Sequence, residues 1–261
     1  MRRIGVLGFL LSAILLVGLV ACSSKSPSSS PSAPSQASGS IVVFAAASLK
    51  SAFTQISGQF KTDNPGSGVE FEFGGSSELA TQLTQGATAD VFASADTAQM
   101  DTVTKAGLLA GNPTNFASNT LVIVTAPGNP KRIGSFADLA KPGLSVVICQ
   151  KPVPCGSATQ RVADSIGVRL NPVSEELSVT DVLNKVTSGQ ADAGLVYLTD
   201  AHSAGSKVTT VNFPEAAGAV NVYPIGVLKK APKPTLAQKF VALVTSDAGQ
   251  KILAQSGFAK P

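Results

Sequence analysis

The stretch IVVFAAASL at positions 41–49 decides the fold of this chain. It begins with an apolar run that is mostly β-branched, which is typical of a buried strand. The small residues after that run lead into a segment in which Leu49, Phe53 and Ile56 recur at helical spacing, so one helix face is apolar. A buried strand that runs directly into an amphipathic helix is the repeating unit of α/β folds. We therefore expect an α/β domain.

The same alternation of short apolar runs and helix-period segments continues along the chain. Strands are predicted at 69–73, 89–93, 121–125, 145–148, 193–197 and 222–228, and helices at Ser76, Gly156, Val179 and 235–255. This order favours largely parallel sheets. A connector rich in Pro and Gly at 126–130 indicates a boundary between two lobes.

The N-terminus has the pattern of an export signal. Arg2 and Arg3 precede an apolar run at 4–21, and the run ends in LVAC at 19–22. This ending resembles the lipobox of bacterial lipoproteins, in which the Cys is acylated and the residues before it are removed. We expect residues 1–21 to be a lipoprotein signal peptide and Cys22 to carry the lipid. A membrane-spanning anchor is the alternative, because the run is about as long as a bilayer requires.

Residues 22–40 are dominated by Ser and Pro and contain nothing large and apolar to bury. We expect a flexible tether that holds the domain near the extracytoplasmic face of the cell membrane. A glycosylated stalk is the alternative for this segment.

Composition argues against two functional classes. The formal net charge is +4 and the Lys and Arg residues are scattered, which argues against a nucleic-acid surface. A Ser-His-Asp enzyme would need His202, the only His, as its base, and the chain has no Gly-x-Ser-x-Gly motif. We therefore predict that the chain is not an enzyme.

The cysteines indicate a disulfide. Cys149 and Cys155 form a close pair in a chain that is predicted to be exported, where disulfides persist. A structural metal site would need further thiol or imidazole ligands. We expect the two to be bonded, and we expect neither a metal nor a cofactor.

Small polar residues stand where several predicted helices begin. Ser48, Ser76, the stretch 155–157 and the stretch 180–182 all occupy such positions. Helix N-termini present unpaired N–H groups and the positive end of the helix dipole. Together they could hold a divalent tetrahedral oxyanion, which offers only acceptors. Taken singly, a Ser at a helix start is more often an ordinary cap, and Val182 is by default a core residue.

Four blocks of sequence resemble the molybdate-binding proteins of molybdate ABC importers, and they occur in that family's order. They are VFAAASL at 43–49, FGGSSELA at 73–80, ADVFASAD at 89–96 and DAGLVY at 192–197. The resemblance implies two Rossmann-like lobes joined by a two-strand hinge, the class II solute-binding protein fold. Lobe 1 is expected at 41–125 with 219–261, and lobe 2 at 126–218.

The resemblance also implies a set of molybdate-binding residues. Ser48 and Ser76 are expected to give hydroxyl and backbone N–H groups, Cys155 and Val182 backbone N–H groups, and Tyr197 its phenolic O–H. This chain differs from the family pattern by having Cys155 in place of Ala and Gly74–Gly75 in place of a run of Ser.

The implied function is high-affinity extracytoplasmic binding of molybdate or tungstate by a lipid-anchored monomer that delivers the anion to an ABC importer permease. Sulfate or another tetrahedral oxyanion is the alternative cargo. A ferric complex would call for clustered Tyr, His and carboxylate ligands, and the chain contains two Tyr.

Overall fold

A computed structural model describes residues 38–261. The predicted signal peptide, the predicted lipidation site Cys22 and most of the predicted tether lie outside these residues. Within 38–261, no helix combines the length and apolar character needed to cross a membrane.

Strands and helices alternate along most of the described chain. The strands are β1 (Gly39–Ala46), β2 (Ser67–Gly74), β3 (Val91–Ala93), β4 (Thr114–Asn119), β5 (Leu121–Thr125), β6 (Val146–Cys149), β7 (Ser174–Glu176), β8 (Ala193–Tyr197), β9 (Thr209–Val211) and β10 (Asn221–Val227). The α-helices are α1 (Lys50–Asp63), α2 (Ser76–Thr84), α3 (Thr97–Lys105), α4 (Pro154–Ile166), α5 (Val179–Thr187), α6 (Leu198–Ala204), α7 (Pro234–Thr245) and α8 (Asp247–Gln255). Short 3-10 helices occur at Ala47–Leu49, Ala137–Ala140, Gly205–Lys207 and Pro214–Ala219.

The strands form two sheets, one in each lobe. The first has the order β2-β1-β3-β10-β4 and the second the order β7-β6-β8-β5-β9. Both sheets are mixed, because each has two parallel and two antiparallel pairings. The prediction of largely parallel sheets was therefore wrong in this respect. The antiparallel pairings all involve β5 and β10, the strands with which the chain enters a lobe after crossing from the other.

The chain crosses between the sheets twice within the described residues. The first crossing is at Thr120, between β4 and β5, and the second follows the 3-10 helix Pro214–Ala219 into β10. Asn119 and Asn221 are partners in the β4–β10 ladder, so the two crossings lie side by side. The predicted hinge of two strands is confirmed.

Two predicted boundaries need correction. Residues 121–125 were assigned to lobe 1, but β5 pairs with β8 and β9 of the second sheet. The tether was predicted to extend to residue 40, but Gly39 and Ser40 already belong to β1 and pair with Ser67 and Gly68. In both cases pairing with a distant strand decided the boundary, and local composition does not reveal such pairing.

The first lobe is built around the strand–helix unit that begins the domain. Phe53, Ile56 and Phe60 on α1 are fully buried. The Phe53 and Phe60 rings each lie 5.6 Å from the ring of Phe240 on α7. Burial of such side chains contributes about 1.5–3 kcal/mol each, so α1 is held firmly and its first turn is well positioned.

The C-terminal segment forms two helices where one was predicted at 235–255. Ser246, between α7 and α8, has an extended backbone, and its hydroxyl accepts the Gly249 N–H at 3.3 Å. A Cβ on Gly249 would lie 2.1 Å from the Leu243 carbonyl oxygen. The close turn therefore requires glycine, and the hydrophobic pattern continues across it without a visible break.

Candidate functional site

The candidate site is a cavity between the two lobes, where several helices begin. The first lobe contributes Ala46–Ser48, Gly74–Ser76 and Ala95, and the second contributes Val153–Cys155, Val179 and Tyr197. None of these lining residues carries a charged side chain. The cavity holds about 10 Å³, close to the minimum space for one water molecule. A larger ion would therefore require the lobes to part slightly.

The lobes touch each other at several points near this cavity. Gln99 donates to the carbonyl oxygen of Pro152 at 3.1 Å, and Asn221 donates to that of Pro154 at 3.3 Å. A Cβ on Gly75 would lie only 2.2 Å from the Leu177 carbonyl oxygen. The structure is thus a closed arrangement in which the first-lobe and second-lobe loops are in van der Waals contact.

Ser48 and Ser76 lie where the sequence analysis placed them, at the starts of two first-lobe helices. Ser48 is in the 3-10 turn that leads into α1, and Ser76 is the first residue of α2. Both side chains are buried. The Ser76 hydroxyl oxygen accepts the Ala95 N–H at 3.0 Å, and the Ser48 hydroxyl lies 2.9 Å from the Tyr223 hydroxyl.

Cys155 lies at the start of α4 and is disulfide-bonded to Cys149, as predicted. Pro154 occupies the first position of this helix, and because it has no N–H, the Cys155 N–H is the first donor that α4 can offer. A Cβ on Gly156 would lie 2.3 Å from the Gln150 carbonyl oxygen, so the disulfide loop packs closely against the helix start.

Val182 does not line the cavity. Val179 occupies the position in the lining at which Val182 was expected. Val182 is fully buried under the second sheet, where its side chain would meet a Cβ on Gly194 at 2.7 Å. Its N–H points to the Ser178 carbonyl oxygen at 3.4 Å, as in an ordinary helix. Ser178 is the N-cap of α5, which makes Val179 the first helical residue and leaves its N–H without a partner in the helix.

A sequence signal for Val179 was available. Ser178 and Asp181 have the spacing of a capping box, and the Ser178 hydroxyl does accept the Asp181 N–H at 3.3 Å. With Ser178 as the N-cap, Val179 is the first helical residue, and its N–H rather than that of Val182 is the one predicted to be unpaired.

Tyr197 ends β8 with its side chain almost completely buried. Its hydroxyl oxygen accepts a hydrogen bond from Asn221 Nδ2 at 2.7 Å. Burial raises the pKa of the phenol well above its usual value, and the nearby Tyr223 and Asp96 raise it further. Tyr197 therefore keeps its hydroxyl hydrogen and can act as a donor.

Two acidic groups near the site are shifted toward the neutral form. Burial raises the pKa of Asp200 to about 7, against the hydrogen bond that its carboxylate accepts from the Tyr197 N–H at 3.0 Å. Burial also raises the pKa of Asp96, although the Gln99 N–H and the charge of Arg161 oppose this shift. The shift of Asp200 reduces negative charge near a site that would hold an anion.

A family model for bacterial extracellular solute-binding proteins matches residues 41–259, which include both lobes and all of the cavity. The chain belongs to this family. The solute-binding protein is 71% identical over 261 residues to the molybdate-binding protein ModA of Mycobacterium tuberculosis strain H37Rv, and the match covers all of both chains.

Solved structures share the fold of this solute-binding protein. The periplasmic molybdate-binding protein of Azotobacter vinelandii matches with a TM-score of 0.73 at 24% identity, over 85% of this chain and 99% of that one. The sulfate-binding protein SubI of M. tuberculosis matches with a TM-score of 0.73 at 19% identity, over 85% and 87% of the two chains. At these identities the matches show the two-lobed α/β architecture.

Proposed function

We propose that this chain captures molybdate or tungstate outside the cytoplasm and delivers the anion to an ABC importer. The observation that carries the proposal is a closed cavity between two lobes that is lined by hydroxyl groups and helix N-termini and has no charged side chain in its lining. The 71% identity to the M. tuberculosis molybdate-binding protein over full length supports this choice of cargo.

In the proposed complex, each lobe supplies part of the donor set. Ser48 and Ser76 bind from the first lobe through hydroxyl and backbone N–H groups. From the second lobe, Cys155 and Val179 bind through backbone N–H groups and Tyr197 binds through its phenolic hydrogen. Val179 replaces Val182 in this set because it lines the cavity.

This donor set suits a fully ionised oxyanion because each of its five residues can donate a hydrogen bond. Helix N-termini stabilise the negative charge without a Lys or Arg partner. The proposal includes no catalytic step, no resident metal and no cofactor, since the oxyanion is the transported cargo.

Calorimetric titration of the domain from Ser38 onward tests the choice of cargo. The start point keeps Gly39 and Ser40, which belong to β1. We expect tight binding of molybdate and tungstate, and much weaker binding of sulfate and phosphate. Heat from sulfate together with none from molybdate would replace the proposed cargo by sulfate.

We further propose that the mature protein is a monomer held at the membrane by a lipid on Cys22. The LVAC ending of the apolar run supports this anchor. Full-length protein expressed in a bacterial host should fractionate with membranes and carry a lipid mass on its N-terminal Cys. Cys22→Ser should abolish the lipid mass, and equal lipidation of the variant would exclude this residue as the site.

A further inference from the structure

A buried polar network lies behind the cavity, and its centre is the side-chain amide of Asn221. Asn221 Nδ2 lies 2.7 Å from the Tyr197 hydroxyl and 2.9 Å from the Ala95 carbonyl oxygen, and Oδ1 lies 2.6 Å from Arg161 Nη2. A guanidinium can only donate and a carbonyl can only accept. These neighbours therefore determine which end of the amide faces each partner. Nδ2 also lies 3.3 Å from the Pro154 carbonyl oxygen, and because the Tyr197 hydroxyl and the Ala95 carbonyl oxygen are nearer, its two hydrogens go to these two.

This hydrogen bond restricts the direction of the Tyr197 hydroxyl hydrogen. Because the hydroxyl oxygen already accepts from Asn221, its own hydrogen points either into the cavity or toward the neighbouring Tyr223 hydroxyl. A charged acceptor forms a hydrogen bond about twice as strong as a neutral one. An anion in the cavity is thus the preferred acceptor for this hydrogen.

A second chain of hydrogen bonds, here called a relay like the one from Asn221 to Tyr197, leads from Asn119 through Tyr223 to Ser48. Asn119 Oδ1 accepts the Thr120 N–H at 3.1 Å, which turns Nδ2 toward Thr199 Oγ1 at 2.8 Å and the Tyr223 hydroxyl at 3.4 Å. Tyr223, supplied with a donor, can pass its own hydrogen to Ser48 Oγ at 2.9 Å. The Ser48 hydrogen is then available to the cavity.

The Ser76 hydroxyl oxygen also accepts a hydrogen bond, and its donor is the backbone N–H of Ala95. Each of the three hydroxyl groups that line the cavity is therefore backed by a hydrogen-bond donor. The Asn119 and Asn221 side chains come from partner positions in the β4–β10 ladder, next to the two crossings between lobes.

We propose that Asn221, oriented by Arg161, and Asn119 are positioning residues that direct the Tyr197 and Ser48 hydroxyl hydrogens into the cavity and thereby make the site selective for fully ionised tetrahedral oxyanions. A protonated oxyanion brings an O–H group that finds no acceptor in such a lining, and a buried unpaired donor is costly. This inference rests on the proposed function, because it assumes that the cavity holds an oxyanion.

The test is Asn221→Asp in the full-length protein, titrated with molybdate and with inorganic phosphate at pH 6, where every phosphate ion is protonated. A carboxylate at this position accepts the Tyr197 hydrogen and still pairs with Arg161, so a Tyr197 lone pair faces the cavity. Loss of a charge-assisted hydrogen bond should weaken molybdate binding about 10- to 100-fold. Phosphate binding should fall far less, so the molybdate-to-phosphate affinity ratio should collapse.

Asn184→Asp is the matched control. Asn184 is exposed on α5, so the substitution adds the same charge away from the network, and its affinity ratio should equal that of the wild type. A wild-type ratio in Asn221→Asp would overturn the inference. Absence of all oxyanion binding by the wild type would instead overturn the proposed function.

A double-mutant cycle separates the relay from a general structural effect. In a Tyr197→Phe background, adding Asn221→Asp should leave the affinity ratio where Tyr197→Phe alone places it. An equal fall in the molybdate-to-phosphate affinity ratio in the absence of the Tyr197 phenol would contradict the relay.

Arg161→Met is the second variant if Asn221→Asp does not fold. It frees the Asn221 amide to rotate and should also lower the molybdate-to-phosphate affinity ratio. An unchanged ratio in Arg161→Met would count against the inference.

Discussion

At the residue scale, the site depends on which atoms remain available after the protein's own hydrogen bonds are made. Ser76 and Tyr197 each accept a hydrogen bond from the protein and keep a hydrogen to give. Val179 and Val182 lie in the same helix, yet only Val179 precedes the regular hydrogen bonding of that helix and lines the cavity.

The role of the Val179 N–H can be tested with Val179→Pro. Proline is favoured at the first position of a helix, and the extended backbone of Ser178 suits a residue that precedes proline. The helix should persist, whereas oxyanion affinity in calorimetry should fall about 10- to 100-fold through the lost donor.

Val182→Ala is the comparison for that variant. It should lower the free energy of unfolding by about 2 kcal/mol, because a buried side chain is truncated, while oxyanion affinity stays close to wild type. The opposite pattern, with affinity lost in Val182→Ala and kept in Val179→Pro, would restore Val182 to the site.

Asp200 predicts a pH dependence of stability. Its pKa is about 7 in the folded protein and 3.8 for an ordinary Asp, so the folded state holds a proton that the unfolded state releases. The stabilisation is complete below about pH 4 and is lost as the pH rises to about 7, amounting to a few kcal/mol. Chemical denaturation across this range should show the decline in wild type and a flatter profile in Asp200→Asn.

Asp138 gives the opposite sign and serves as a control. A hydrogen bond from Lys141 and another from the Gly134 N–H lower its pKa to about 2. Its contribution should be present above about pH 4 and be lost as the pH falls toward 2. An Asp138→Asn variant that lost the decline between pH 4 and 7 would contradict the assignment to Asp200.

At the element scale, the site is a meeting point of helix starts that belong to different sheets. The first turns of α2, α4 and α5 and the 3-10 turn before α1 all reach one cavity. Their positions are held by strands that end nearby, and contact between loops of opposite lobes completes the enclosure.

The loop contact at Gly75 predicts a variant that resists closure. Gly75 has an ordinary extended backbone, so Gly75→Ala should fold normally, yet its methyl group would collide with the Leu177 carbonyl of the other lobe. We expect weaker oxyanion binding with little change in thermal stability. Gly111→Ala is the control, since a Cβ there meets nothing within 4 Å, and equal affinities for the two variants would exclude this contact from closure.

The disulfide predicts a second effect on affinity. Cys149–Cys155 ties the end of β6 to the first turn of α4, and its loss should reduce stability by about 2 kcal/mol. Reduction with a thiol should also weaken oxyanion binding, because the Cys155 N–H is then less firmly placed. Unchanged affinity in the reduced protein would limit the disulfide to a structural role.

At the scale of the whole molecule, we expect the two lobes to close around a hinge when the anion binds, and we propose that this closure signals to the importer. The two crossing strands carry Asn119 and Asn221 side by side, so the hinge carries the residues that lie behind the cavity. A change in the angle between lobes therefore also changes the hydrogen bonds behind Tyr197 and Ser48.

Intrinsic fluorescence should report this closure. The chain has two Tyr and no Trp, and the Tyr197 and Tyr223 rings lie 6.0 Å apart beside the cavity. Molybdate should change the tyrosine emission of the wild type, and the change should be smaller in Gly75→Ala at saturating ligand. A full change in Tyr197→Phe would exclude Tyr197 as its source.

The sequence by itself determined the strand–helix units and the helix starts, because these depend on side chains within a few positions of each other. The two-lobed plan came from the family resemblance. The apolar pattern around 41–60 and the Ser residues at 48 and 76 are examples. The family resemblance added Tyr197 and Cys155 to the site, and the structure places both at the cavity.

Only the tertiary structure decided which sheet β5 joins and that Asn119 and Asn221 lie behind the cavity. The polar strand β4, which carries Asn119, was not predicted from the sequence. These features depend on contacts such as that between Asn221 and Tyr197, which form only after the chain has crossed between the lobes twice. Their partners are distant in sequence, so no local pattern encodes them.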